Sequence, residues 1–265
     1  MKHVVVTGAY GGMGKAVVDK LVSNGFSVFA LDINAKDERP NVHPIQVDLT
    51  DNDSVNNAFT KISSITNNVF AIIHLAGIYK LNSLVEISEE EFVKALNVNL
   101  LGAYRVNKTF LSLLTKNSRI VITTSELAPL DPLPFTSIYS ITKTALDSYA
   151  FALKMELQLL DIHVSILRPG AVDTGLLGDS TSELDKFCKN TKLYPVNSKK
   201  FKDVVNKVEA RKIKPQKIAD KIYKIVNAKK PKTIYKINRN PLLLLLNILP
   251  KRAQLSIIKR ILKSK

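Results

Sequence analysis

The 265-residue chain is long enough for one well-filled α/β domain, and 45% apolar with 23% charged residues describes a globular protein and excludes a disordered one. The net charge of +16 is concentrated: residues 1–185 hold 15 Lys and Arg against 20 Asp and Glu, while residues 186–265 hold 24 against 3, so an anionic partner is expected for the C-terminal part alone. Cys188 is the only cysteine and the four histidines are scattered, which excludes an internal disulfide and gives no grounds to expect a metal site.

In chain order, residues 4–7 read as a strand that runs into Thr7, Gly8, Tyr10, Gly12, Met13 and Gly14, a glycine-rich turn. The run before it is too short for a signal-peptide core. A helical pattern over 14–24 carries Val17, Val18, Leu21 and Val22 and stops near Gly25. Strands follow at 27–32 and 43–47, then a helix at 51–65 with Asp51 or Asn52 as its cap. Residues 69–75 are a continuous apolar strand, as expected where both faces of a parallel sheet are covered. His74, near its end, reads as a structural histidine. Ser88 with Glu89, Glu90 and Glu91 opens a long helix to about residue 115. Further strands at 119–124 and 163–167 flank the helix that carries Tyr139, and 233–237 is a last strand. Strands alternating with helices predict a Rossmann-type, doubly wound parallel sheet in one domain, residues 1–239.

Residues 175–215 are lysine-rich and weakly periodic, and they follow the C-terminal end of the sixth strand, so they are expected to form a substrate lid. Residues 240–265 form a separate tail. Leu242–Leu246 are five consecutive leucines, and beyond Lys251 and Arg252 the residues Leu255, Ile258, Ile261 and Leu262 share a helical face among Lys259, Arg260 and Lys263. No apolar run approaches the roughly 20 residues needed to span a bilayer. The chain is therefore expected in the cytoplasm, with residues 240–265 lying on an anionic membrane surface; packing on the domain is the alternative. Nucleic-acid binding is not expected, because no aromatic residue follows Tyr235.

Glycines let the backbone turn tightly and approach phosphate oxygens, and the following helix adds its amides, so the turn from Gly8 to Gly14 predicts a dinucleotide site. Asp32 ends the second strand. A carboxylate there accepts from a ribose 2′-hydroxyl and repels a 2′-phosphate, so NAD is expected over NADP. Asp48 and Leu49 are candidates for the adenine edge. Tyr139 and Lys143, four apart on a helix, share a face, and an ammonium below a phenol favours the phenolate.

These motifs (the glycine turn, Asn97-Val98-Asn99, Ser125, Tyr139 with Lys143, and Arg168-Pro169-Gly170 through Thr174) resemble the short-chain dehydrogenase/reductase family in its short single-domain form, over about residues 2–175 and more weakly to 237. The resemblance implies that Tyr139 is the general acid/base, that Lys143 lowers its pKa and holds the nicotinamide ribose, and that Ser125 polarises the substrate oxygen. It implies that Asn99 holds its helix and a water in a proton relay. Thr7, Ala76, Gly77, Pro169, Gly170, Val172 and Thr174 would complete the cofactor site. Ser125 stands one residue further from Tyr139 than the family spacing, which leaves Thr123 or Thr124 as an alternative. Leu75 stands where the family usually has an asparagine. The implied activity is NAD-dependent interconversion of an alcohol and a ketone or aldehyde on a lipophilic substrate, with hydroxysteroids, bile acids or retinol-like alcohols as the leading class, by a homo-oligomer. The alternatives are a 3-oxoacyl-carrier-protein reductase and a non-catalytic dinucleotide sensor; Asp32 speaks against the first and the intact Tyr139–Lys143 pair against the second.

Overall fold

The computed structural model describes residues 1–36, 39–209 and 211–263, so residue 210 of the expected lid and residues 264–265 of the tail lie outside the described residues. Seven strands, β1 (Lys2–Thr7), β2 (Phe26–Asp32), β3 (Val42–Gln46), β4 (Val69–His74), β5 (Arg119–Thr123), β6 (His163–Pro169) and β7 (Ile234–Ile237), form one sheet in the order β3-β2-β1-β4-β5-β6-β7. Every pairing is parallel. The helices are α1 (Gly12–Val22), α2 (Asn52–Ser63), α3 (Glu89–Leu96), α4 (Gly102–Phe110), α5 (Ser137–Leu157), α6 (Gly175–Asn190), α7 (Pro195–Glu209), α8 (Pro215–Asn227), α9 (Pro241–Ile248) and α10 (Lys251–Leu262).

Alternating side chains divide each strand between two cores. Val4 and Val6 join α1 and α8 on one face, and Val5 joins α2, α4 and α5 on the other. All three valines are fully buried, each contributing about 1.5–3 kcal/mol of burial. The strand order reverses between β1 and β4, and the crevice beyond their C-terminal ends is where such a sheet takes ligands.

The expected single helix over 88–115 is divided. Ser88 caps α3 by accepting from the Glu91 amide, but a π-helical turn at Asn97–Leu101 separates α3 from α4. The wider turn turns Asn99 inward, where it is buried. Residues 175–209 are also more regular than their pattern suggests. They form α6 and α7, whose Leu184, Phe187, Phe201 and Val205 pack on Leu81 and Phe135 in a third apolar cluster. Glu86 closes the turn between these helices, accepting from the Thr191 hydroxyl at 2.6 Å and the Lys192 and Leu193 amides at 2.7 and 3.1 Å. No helix among the described residues is long and apolar enough to cross a membrane.

His74 is buried at the end of β4. Its Nε2–H donates to Asn107 Oδ1 at 2.8 Å, while Nδ1 has no partner. Burial pushes its pKa down to about 4, against the smaller opposing effect of the Asn107 bond. Between pH 6.5 and about 4 the native state therefore binds fewer protons than the unfolded chain, so stability is lost on acidification through that window, by about 3 kcal/mol. Urea unfolding at several pH values should show the loss in the wild type and a shallower slope in His74→Gln; equal slopes would refute the assignment.

Candidate active site

The turn after β1 is built for close approach. Gly8 has φ +67°, and a Cβ there would lie 2.6 Å from the Ala76 amide nitrogen, so only glycine fits the turn against the end of β4. Thr7 lies beneath, buried, and its Oγ1 accepts from that same amide at 3.4 Å. Gly11 caps α1 without a side chain, leaving the first-turn amides open toward the groove. At the end of β2 the Asp32 carboxylate accepts from the Tyr10 amide at 2.9 Å and the Asn34 amide at 3.1 Å. Asp48 Oδ1 accepts from the Thr50 hydroxyl and amide, bonds that hold its pKa below the usual carboxylate range.

Together these residues line an open groove whose walls include Gly8, Tyr10, Gly12, Met13, Gly14, Asp32, Asp48, Leu49, Ala76, Gly77 and Thr174. An uncapped helix N-terminus at one point and a carboxylate at another fit a dinucleotide, the amides meeting the pyrophosphate and Asp32 a ribose diol. The donor set and the space therefore accommodate NAD(P).

The groove meets a second chamber at Met13, Leu75, Gly77, Ile78 and Thr174. Pro169, Gly170 and Val172 from the end of β6 lie on its wall with Ser125, Tyr139 and Lys143. Ser125 follows β5, and Tyr139 and Lys143 stand one turn apart on α5. The Ser125 hydroxyl lies on the chamber wall with the Tyr139 phenol, whose pKa it acts to lower, and it accepts from the Leu127 amide at 3.2 Å. Thr124 also lines the chamber, but its hydroxyl is committed to Asp147, to which it donates at 3.0 Å. Of the three adjacent hydroxyls, Ser125 is the one that acts on the phenol.

Burial governs the titration of this pair. It pushes Tyr139 up to about 12, with Glu126 adding to the rise and the Ser125 bond opposing it. It pushes Lys143 down to about 8. Burial is the largest cause of both shifts. The Lys143 nitrogen stands 5.8 Å from the Tyr139 ring centroid and donates to the Thr123 carbonyl at 3.2 Å.

Asn99 is held by three hydrogen bonds. Its Oδ1 accepts from the Ile78 amide at 2.8 Å, and its Nδ2 donates to the Ile78 carbonyl and the Thr142 hydroxyl, both at 3.0 Å. The side chain therefore ties the loop after β4 to α5, one residue from Lys143, and does not reach the chamber wall. Its spacing reveals neither the π-helical turn nor these partners.

Several chamber residues escaped the sequence reading. Tyr79 packs edge-on against Tyr139 with ring centroids 4.5 Å apart. Leu127 and Glu126 flank Ser125 on the wall, and Leu243 enters it from α9. Glu126, raised in pKa by burial, accepts from the Asn240 amide at 2.6 Å. Residues 240–263 are therefore packed against the domain along one side. The signal was present in Asn240-Pro241, since Asn240 caps α9 by accepting from the Leu242 amide and Pro241 occupies its first turn.

A family model described as short chain dehydrogenase matches residues 2–185. The chain is 27% identical over 238 residues to the 3-ketodihydrosphingosine reductase of Bacteroides thetaiotaomicron, covering 86% of this chain and 84% of that protein. It is 26% identical over 249 residues to the NADPH-dependent 3-dehydrocapnine reductase of Ornithobacterium rhinotracheale, covering 89% and 87%. Estradiol 17-beta-dehydrogenase 2 of Mus musculus is 29% identical over 193 residues, which cover 67% of this chain but 50% of that protein. Among solved structures, a short chain dehydrogenase family protein from Francisella tularensis shares the fold with a TM-score of 0.76 at 24% identity, covering 90% of this chain and 98% of that one. The 3-ketoacyl-(acyl-carrier-protein) reductase from Brucella melitensis, complexed with NADH, superposes with a TM-score of 0.73 at 20% identity, covering 89% and 97%.

Proposed function

The chain belongs to the short-chain dehydrogenase/reductase family, and from that premise we propose that it interconverts a secondary alcohol and a ketone on a lipophilic substrate, with NAD preferred over NADP. The observation that carries this reading is the Ser125–Tyr139 hydroxyl pair on the wall of a chamber that opens into the nucleotide groove. When bound, NAD(P) supplies or accepts the hydride. As a ketone is reduced its oxygen gains negative charge, which the Ser125 and Tyr139 hydroxyls stabilise as donors. Tyr139 then delivers its proton to that oxygen; with a pKa near 12 it is protonated at neutral pH and ready to act as the acid. Lys143 anchors the base of the site through the Thr123 carbonyl and is the residue within reach to hold a ribose hydroxyl.

Tyr79, Leu127, Val172 and Leu243 give the chamber apolar walls, which suit an apolar skeleton with one polar end. The relatives named for a keto-lipid and for a steroid support the same class. The assay is nicotinamide absorbance with a long-chain 3-ketolipid, a hydroxysteroid, a bile acid, a retinol-like alcohol and a 3-oxoacyl carrier-protein thioester, with either cofactor. Turnover of the thioester alone would replace the lipid reading, and no turnover of any of them would refute it.

The cofactor preference rests on Asp32, even though one relative is NADPH-dependent by name. Asp32→Ser should lower NAD affinity and raise that for NADP. The ratio of the two dissociation constants, measured by calorimetry, should shift by at least about tenfold, the effect of one hydrogen bond to a charged group. An unchanged ratio would overturn the preference.

A further inference from the structure

We infer that α9 and α10 dock the chamber mouth on an anionic lipid surface. This rests on the lipophilic-substrate reading for its purpose, but not for its evidence. Helix α9 has two faces. Its inner face is fixed to the domain: Leu243 lines the chamber, the Asn240 amide donates to Glu126, and Asn247 Oδ1 accepts from the Asp131 amide at 2.8 Å. On its outer face Leu242, Leu245 and Ile248, three residues apart, are 64%, 60% and 80% exposed. Beyond Pro250, Leu255 and Ile261 of α10 are exposed as well.

Helix α10 is a rigid platform. Gln254 is buried, Leu262 packs on the third apolar cluster, and Asn197 Nδ2 donates to the Leu262 carbonyl at 2.7 Å. Of the face expected to enter a membrane, Leu262 is thus used in packing on the domain, while Leu255 and Ile261 are held outward.

The chemistry around this surface selects its occupant. Residues 240–265 contain six Lys and Arg and no Asp or Glu. Lys251 pairs with Asp131, while Arg252, Lys259, Arg260 and Lys263 are exposed and pair with no acid among the described residues. Protein interfaces are enriched in aromatic residues and depleted in lysine. Here the apolar groups are only Leu and Ile, rimmed by unpaired cations, which matches the boundary of an anionic bilayer. Two short helices penetrate such a boundary only to headgroup depth. Because α9 is also the chamber wall, an apolar ketone dissolved in the bilayer reaches the site beside Leu243 without crossing bulk water.

The test is cosedimentation of the full chain with vesicles of phosphatidylcholine alone or mixed with phosphatidylserine. The wild type should pellet with the anionic vesicles and be released by high salt. The triple variant Leu242→Ser, Leu245→Ser, Ile248→Ser, which alters only exposed positions, should bind at least about tenfold more weakly at an unchanged melting temperature. It should also turn over a water-soluble ketone normally and a vesicle-embedded one poorly. A wild type that stays in the supernatant would overturn the inference. So would a triple variant that binds as well as the wild type, or one that only converts a wild-type dimer to monomers. Absence of turnover with every ketone would instead refute the proposed function and leave the binding result standing.

Discussion

Tyr139→Phe is expected to reduce turnover by roughly 10²–10⁴-fold, the usual contribution of a positioned proton donor, with little change in NAD affinity. Phenylalanine keeps the ring that packs edge-on against Tyr79, so the chamber wall survives and only the hydroxyl is lost. The residual rate would come from Ser125 as the sole remaining donor to the developing oxyanion. Steady-state kinetics with calorimetric nucleotide binding separates the two effects. A variant that retains more than about a tenth of wild-type turnover would show that the phenol is not the proton donor, since even a modest general acid contributes more. A variant that fails to bind nucleotide would show that the hydroxyl is part of the groove.

The second large effect is expected at Arg168. Its Nη2 and Nε donate to the two oxygens of Asp147 at 2.6 and 2.9 Å, and Thr124 donates to the same carboxylate at 3.0 Å. Both charged side chains are only 13% exposed. Removing one partner strands the other charge in a poorly solvated site, at a cost of about 3–5 kcal/mol. Arg168→Met should therefore lose about that much in urea unfolding, and the double variant Arg168→Met with Asp147→Leu should recover most of it. Asp147 lies one turn beyond Lys143 on α5, Thr124 precedes Ser125, and Arg168 precedes Pro169. One ion pair thus fixes the relative positions of the catalytic helix and the ends of β5 and β6, so the single variant should also lose kcat more than nucleotide affinity. Arg168→Lys should recover little, because an ammonium cannot reproduce the two parallel bonds. Losses that simply add in the double variant would refute the coupling.

The strands were legible because a parallel sheet covered on both faces demands unbroken apolar runs, and residues 69–73 and 120–122 carry them plainly. The nucleotide groove was legible because its demands are local: glycines where a Cβ collides, and an acid at a strand end. Other features depend on neighbours that spacing does not name. One residue of extra winding at Asn97–Leu101 barely disturbs the apolar period, so the inward turn of Asn99 was hidden. Lysines on the exposed faces of α6 and α7 diluted the pattern set by Leu184, Phe187, Phe201 and Val205. The titration of Tyr139 depends on neighbours too: a four-residue interval places a lysine nearby, but it says nothing of how far the surrounding protein strips water from both groups. Leu243 was assigned to a detached tail because its contact with the chamber joins residues more than a hundred apart in the chain, as the Glu126–Asn240 bond does.

The strand order imposes a timetable on assembly. The first strand lies in the middle of the sheet, and its register pairs His3 with Val69, so the centre forms only after a long loop has closed, an entropic barrier that makes such topologies slow. Gly8 seats against Ala76 in that same event. A nucleotide can therefore capture only chains whose centre has already zipped up: it would slow unfolding by mass action without hastening the first encounter of those strands.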